Sequence, residues 1–263
     1  MGLVDGTVLV TGATGGIGIA IAEAFAARRA SLILSGRRSE VLAPLAERLG
    51  GRAVVCDLAS RDQVNRLIDE AGEVDVLVAN AALPASGVFT VLEQDQIDRM
   101  LEVNLRAPIA LARGLAPAMA ARRRGHLVLI SSLAGKAASP ASAIYSATKF
   151  GLRGFAHGIR EDLRPHGVGV SVVLPGFIRD AGMFADAGVE LPPGVGTRTP
   201  QDVADAVIRA IEHNRLEVEV APLGLRVGAA FAGLAPALAA SVSRRMGGDR
   251  VASDLAAGQR DKR

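Results

Sequence analysis

The chain has no tryptophan, one tyrosine, one cysteine and four histidines among 263 residues, and aromatic residues make up only 3% of it. Because Cys56 stands alone, no intrachain disulfide can form. A disulfide-stapled secreted scaffold is excluded, and a reducing, cytoplasmic setting is expected. The histidines, His126, His157, His166 and His213, make no i, i+4 pair and accompany no cysteine cluster, so no metal site is expected. One Tyr and seven Phe are too few for base-stacking platforms. The first residues lack a basic stretch followed by an apolar one, and Gly6 stands where myristoylation wants Ser or Thr, so neither an export nor a lipidation signal is expected. Excess positive charge is lacking where a nucleic-acid binder needs it. Residues 244–263 hold six basic and three acidic side chains, the whole formal +3, and the rest of the chain carries equal numbers of each sign. No nucleic-acid partner is therefore expected.

What is present is apolar sequence, 49% of the chain, enough for a sizeable core. Short Val/Ile/Leu runs at 7–11, 31–35, 53–56, 74–79, 126–131, 169–174 and 216–220 alternate with segments of helical period at 16–29, 39–49, 61–70, 94–122, 143–164 and 200–213. That alternation predicts α/β architecture: a single doubly wound, Rossmann-like domain around a seven-stranded parallel sheet, with a C-terminal apolar helix. Ser39, Ser60 and Thr199 are positioned to cap helices. The expected organisation is a catalytic domain over 1–222, an apolar helical extension over 223–246 and a polar, disordered tail over 247–263. Residues 176–199, rich in Gly, Pro and small side chains, read as a lid or binding loop.

The first strand runs into Thr11-Gly12-Ala13-Thr14-Gly15-Gly16-Ile17-Gly18 and then an apolar helix. Glycines in this position let a pyrophosphate approach the amides at the positive end of a helix. The second strand ends in Gly36-Arg37-Arg38, with no carboxylate to hold ribose hydroxyls. Arg37 and Arg38 offer guanidinium forks for a 2′-phosphate, which points to NADP and leaves NAD as the rival cofactor. After the third strand, Asp57-Leu58 supplies a carboxylate that could accept from an adenine amino group. Ser132 follows the fifth strand, and Tyr145 and Lys149 come four apart on the next helix, one turn from each other. An ammonium about 4 Å away at an effective dielectric near 20 is worth roughly 4 kcal/mol, which predicts a Tyr145 phenol near pH 7, suited to general acid/base work. Ser132 could then hold a carbonyl oxygen.

Taken together these residues resemble the short-chain dehydrogenase/reductase family, over roughly residues 3 to 221. The Thr11 to Gly18 loop matches its T-G-x3-G-x-G motif, and Asn80-Ala81 falls at its N-N-A-G turn. Asn104 matches its helix asparagine, Ser132, Tyr145 and Lys149 its catalytic set, and Pro175-Gly176 its P-G pair, followed here by Phe177-Ile178-Arg179. The resemblance implies hydride transfer between NADP(H) and a carbonyl or secondary alcohol. Tyr145 would move the proton, Lys149 would lower its pKa and bind the nicotinamide ribose, Ser132 would polarise the carbonyl, and Asn104 would help hold a relay water. Gly12, Thr14, Gly15, Gly16, Ile17, Gly18, Arg37, Arg38, Asp57, Leu58, Asn80, Ala81, Pro175, Gly176 and Ile178 would line the cofactor site together with Tyr145 and Lys149. A homodimer or homotetramer is also implied.

Two departures stand out. The turn reads Ala79-Asn80-Ala81-Ala82, and Ala82 can replace the family's Gly only outside the left-handed region. Asp180 occupies the place of a Thr that contacts the nicotinamide amide. Leu83, Leu133, Ala134, Phe177, Met183 and Phe184 are the expected substrate lining, which is apolar and predicts a hydrophobic small-molecule substrate. Lys136 is expected to face solvent or an acidic substrate group. The rival from another class is a non-catalytic dinucleotide-binding or membrane-associated protein. Residues 227–243 carry no charge and contain Pro236, too short a run to span a bilayer, so 223–246 reads as a lid, an oligomer contact or a peripheral membrane helix.

Overall fold

Successive side chains of a strand point to opposite faces, so a strand covered on both sides feeds two cores at once. Along β1 (Thr7–Thr11), Val8 and Val10 enter one apolar cluster with Ile21, Phe25 and Val207, whereas Leu9 enters the other with Met100, Leu111 and Leu152. The same division runs through β2 (Ser31–Gly36), β3 (Arg52–Val55), β4 (Val76–Ala79), β5 (Gly125–Ile130) and β6 (Val168–Pro175), whereas β7 (Glu217–Val220) feeds only the first cluster, through Val218 and Val220. In this computed structural model, which describes residues 2–84, 87–189, 191, 195–245 and 248–259, these strands form one parallel sheet in the order β3-β2-β1-β4-β5-β6-β7. Chain direction across the sheet reverses between β1 and β4, leaving the crevice at their carboxyl ends where ligands of such sheets bind.

One face of the sheet is covered by α1 (Gly16–Ala26), α2 (Ser39–Arg48) and α7 (Pro200–Glu212). The other is covered by α3 (Arg61–Ala71), α4 (Gln94–Leu101), α5 (Ala107–Ala121) and α6 (Ala143–Leu163). Ser60 accepts from the Gln63 amide, and Thr199 forms a reciprocal capping box with Asp202. Ser39, by contrast, is the first residue of α2 rather than its cap, and Arg38 precedes the helix without a side-chain cap bond.

The segment expected as a single helix over 94–122 is interrupted. Residues Glu102–Arg106 widen into a π-turn between α4 and α5, with Asn104 buried at its centre. Such turns leave part of the backbone ladder unmatched and recur where a helix must aim a group at a site. At the C-terminus, the single apolar helix resolves into α8 (Leu223–Leu234) and α9 (Pro236–Arg245), broken at Ala235. The expected disordered tail is instead helical as α10 (Gly248–Gly258), with Ala252 and Ala256 buried and the Gln259 amide donating to the Met183 carbonyl at 3.0 Å. Residues 246–247 and 260–263 lie outside the described residues.

A polar pair is buried between β5 and β6. His126 lies opposite Gly169, whose missing side chain leaves room for the imidazole. Ser171 donates its proton to the Arg215 carbonyl at 2.5 Å, so His126 Nε2 is the donor in the 2.7 Å contact with Ser171 Oγ. Burial pushes the imidazole down to about 3. A folded-state pKa below the unfolded value means that the unfolded chain binds the proton first. Stability should therefore fall as pH drops from about 6.5 towards 3, by up to about 5 kcal/mol from this group. His126→Asn should flatten that part of the pH dependence of urea unfolding, and an unchanged slope would refute the assignment.

Candidate active site

The phosphate-loop glycines act through space. Gly12 has a φ of +64°, and a Cβ there would lie 2.7 Å from Ala81 Cα, so both the turn and the approach of the β4 loop require glycine. Thr11 Oγ1 accepts from the amides of Asn80 and Ala81, and Asn80 Nδ2 returns bonds to the carbonyls of Thr11 and Gly12 at 3.0 and 3.2 Å. Asn80 thus fastens the loop at the crevice. Ala82 is outside the positive-φ region, so alanine fits where a left-handed glycine would have been needed. Gly15 starts α1 without a side-chain cap, and its first turn holds no carboxylate. The amides of that turn are therefore placed to receive an anion. Ala181 packs directly over Gly16, and Gly182 lies near Ile17, so the loop after β6 roofs this end of the helix.

At the end of β2 Gly36 is buried, and a Cβ there would come 3.3 Å from the Thr14 side chain. A side chain there would press on Thr14, which would have to give by a few tenths of an ångström. Arg37 is exposed, while Arg38 donates to the Thr14 carbonyl at 2.8 Å and steadies the loop. Asp57 differs from expectation. It accepts from the Ala59 amide and pairs with Arg99 at 3.0 Å. Desolvation acts to raise its pKa, but those bonds and charges, with Arg37 contributing, hold the carboxyl below its usual range. The carboxylate is thus already shared with α4. Leu58 and Ile178 have their side chains in the two cores, so only their backbones face the crevice. Leu83, expected in the substrate lining, is likewise a core residue.

Ser132, Tyr145 and Lys149 come together beyond the end of β5. Ser132 Oγ accepts from the Ala134 amide at 3.1 Å and donates towards the Pro175 carbonyl at 3.4 Å, and it lies close enough to the Tyr145 phenol to act to lower its pKa. Lys149 Nζ donates to the Ile130 carbonyl at 2.9 Å and sits 5.5 Å from the Tyr145 ring centroid. The backbone carbonyl of Lys149 accepts from Ser131 Oγ, and a Cβ at Gly135 would lie 2.7 Å from that same oxygen. Only glycine lets the Ser132 loop lie this close to α6. The expected phenol near 7 is not what these groups produce by themselves. Burial raises the Tyr145 phenol, against the lowering effect of the Ser132 hydroxyl, and burial lowers the Lys149 ammonium to about 8. Desolvation outweighs attraction because the ammonium lies against the ring face and is bonded to Ile130, rather than reaching the phenolic oxygen.

Asn104 is buried in the π-turn and bonded to the loop after β4. Its side chain accepts from the Leu83 amide at 2.7 Å and donates to the Leu83 carbonyl at 2.9 Å, so its amide is spent on holding the loop after β4. Asp180 has a φ of +69°, is exposed and pairs with its neighbour Arg179. Pro175 supplies its carbonyl to Ser132, and the Gly176 amide donates to the Val220 carbonyl. Leu133, Phe177, Met183 and Phe184 are partly buried around this end of the sheet, with the two phenyl rings 5.0 Å apart.

A charge network went unread in the sequence. Along β7, Val218 and Val220 face α7 while Glu217 and Glu219 face the other side. Lys136, four residues after Ser132, lies 2.7 Å from both carboxylates instead of facing solvent or substrate. Glu217 also holds Arg153 and His157 of α6 at 2.6 Å, and Glu219 holds Arg226 of α8. Although desolvation acts to raise them, the hydrogen bonds from Lys136 and the arginines keep both carboxyls low. Glu217 therefore ties the Ser132 loop to the helix carrying Tyr145 and Lys149. The alternation Glu-Val-Glu-Val on an edge strand was the available signal. Glu217→Gln should cost about 3 kcal/mol of stability and lower turnover more than cofactor affinity. Thermal unfolding and a kcat/KM split test this, and unchanged turnover in the folded variant would refute the tie.

The comparisons with known proteins follow this geometry. A family model described as short chain dehydrogenase matches residues 6–190. The ketoacyl reductase HetN of Nostoc sp. is 36% identical over 223 residues, covering 81% of this chain and 78% of that protein. Dehydrogenase/reductase SDR family member 7B of Xenopus laevis is 34% identical over 259 residues, covering 89% and 80%. Among solved structures, a short-chain dehydrogenase from Sphingobium yanoikuyae in complex with NADPH superposes with a TM-score of 0.77 at 30% identity, covering 90% of this chain and 95% of that one. A metagenomic short-chain oxidoreductase in complex with NADP gives 0.69 at 34% identity, covering 82% and 96%.

Proposed function

The chain belongs to the short-chain dehydrogenase/reductase family, whose members are NAD(P)-dependent oxidoreductases, and on that premise we propose that it reduces the carbonyl of a hydrophobic small molecule with NADPH. The observation that carries this reading is the meeting of Ser132, Tyr145 and Lys149 beside the β1/β4 crevice. The bound dinucleotide supplies the hydride. Ser132, close to the phenol, would orient the carbonyl oxygen next to Tyr145. Tyr145 donates its proton to that oxygen as charge builds there. A phenol held above its ordinary pKa is protonated at neutral pH and so stands ready as the acid. Lys149, mostly charged below about 8, steadies the phenolate left behind.

Two features support NADP(H) over NAD(H): Gly36 puts no carboxylate at the end of β2, and exposed Arg37 is placed to fork a 2′-phosphate. The uncapped α1 terminus would receive the pyrophosphate of either cofactor. Similar solved proteins were crystallised with NADPH or NADP. The ketoacyl reductases among the relatives support a carbonyl substrate, and the Phe177–Phe184 pair supports an apolar one.

Tyr145→Phe should abolish turnover of a ketone panel while leaving NADPH binding within about twofold, measured by calorimetry. Residual turnover above a few per cent would sink the proton-donor assignment. Loss of a bidentate charged contact should make Arg37→Ala bind NADPH about tenfold more weakly and NADH equally well. An unaltered preference would transfer the assignment to NAD, with Arg37 merely solvated.

A further inference from the structure

α8 and α9 rest on the body by little of their surface. Ala229 is the one buried residue of α8, and Leu234 and Leu238 are 88% and 63% exposed. Leu223, Val227, Phe231 and Leu234 are all exposed and fall at steps of four, four and three, the period of one face of α8. Beyond the break at Ala235, exposed Leu238 and Val242 lie four apart on one face of α9, so each helix carries its own apolar stripe. Water leaves such a stripe unsatisfied, and exposed patches of this kind mark surfaces that meet something apolar. No helix among the described residues is long and apolar enough to cross a membrane, so the stripes lie on a surface rather than through one.

Charge selects the occupant. Residues 220–248 contain no Asp or Glu, whereas they contain Arg226, Arg244 and Arg245. Arg226 is committed to Glu219, but Arg244 and Arg245 stand exposed in the last turn of α9. A second copy presenting this same face would bring like charges together with no carboxylate of either stripe to neutralise them. An anionic lipid surface offers both missing partners, acyl chains for the stripes and phosphates for the arginines.

We propose that α8 and α9 form an interfacial surface that seats this protein on an anionic phospholipid bilayer. The placement suits the site. Gly233 of α8 lies beside the Lys136 carbonyl at the end of the Ser132 loop, and Gln259, just after α10, holds the Met183 carbonyl of the loop after β6. A lipid surface touching α8 therefore lies next to the loops that frame Tyr145, within reach of a carbonyl compound dissolved in the bilayer.

Flotation of the full-length protein with vesicles of phosphatidylcholine alone, or of phosphatidylcholine mixed with phosphatidylglycerol, tests this. The protein should float with the mixed vesicles and, in low salt, bind them at least about tenfold better than phosphatidylcholine alone. Leu234→Glu/Leu238→Glu should lower that partition at least about tenfold with an unchanged thermal unfolding midpoint, since both side chains are exposed. Arg244→Gln/Arg245→Gln should lower it by about tenfold as well. Failure to float with either vesicle overturns the proposal, as does binding that the leucine variant leaves intact. Sedimentation identifies the rival occupant. A wild-type dimer that the leucine variant dissociates, with no vesicle binding, assigns the stripes to a second copy and overturns the proposal too.

Discussion

Lys149 is the joint on which the site is assembled. Its ammonium is buried, donates to the Ile130 carbonyl at the end of β5, and lies against the Tyr145 ring. Its own backbone carbonyl accepts from Ser131 and sits against Gly135. One residue of α6 therefore fixes the end of β5, the Ser132 loop and the ring above it. Keeping a charge in that place is expensive, as its lowered pKa records. The surrounding hydrogen bonds are what make it tolerable. The same burial that weakens the ammonium keeps the phenol protonated, so the desolvation that opposes a standing phenolate suits proton donation.

A second layer of charge supports the joint from the sheet edge. Glu217 and Glu219 point inward from β7, where an all-apolar strand would have given only packing. Between them they gather Lys136 from the Ser132 loop, Arg153 and His157 from α6, and Arg226 from α8. The network links the helix carrying Tyr145 and Lys149, the Ser132 loop and the first C-terminal helix. It also accounts for cations whose purpose charge counting left open. The net +3 belongs to the C-terminal region, whereas the charges that organise the site are paired within the domain.

Much of this was legible along the chain, for reasons that differ by element. Strands buried on both faces read as nearly unbroken apolar runs, and the edge strand β7 showed instead as alternating Glu and Val, so all seven were visible, with ends displaced by at most two residues. The Gly-rich loop and the Tyr145–Lys149 pair were legible because their chemistry is local: a tight turn before a helix, and two side chains one helical turn apart. The π-turn at Glu102–Arg106 was not, because its residues have ordinary helical propensity and the turn matters through the bond between Asn104 and Leu83. The pairing of Asp57 with Arg99 was not legible because Arg99 lies 42 residues away on α4. The helical order of residues 248–258 was hidden by a polar composition, since its buried groups are two alanines and a glutamine-to-backbone bond.

Sequence by itself determined the alternation of strands and helices, the absence of a ribose-binding carboxylate after β2, and which three side chains could do proton chemistry. Those properties follow from period, from residue type and from spacings of a few positions. The tertiary structure decided the ionisation of Tyr145 and Lys149, the engagement of Asp57, Asn104 and Lys136, and the exposure of the stripes on α8 and α9. Each of these depends on how much water is removed and which distant group takes its place, and neither quantity exists until the chain has folded.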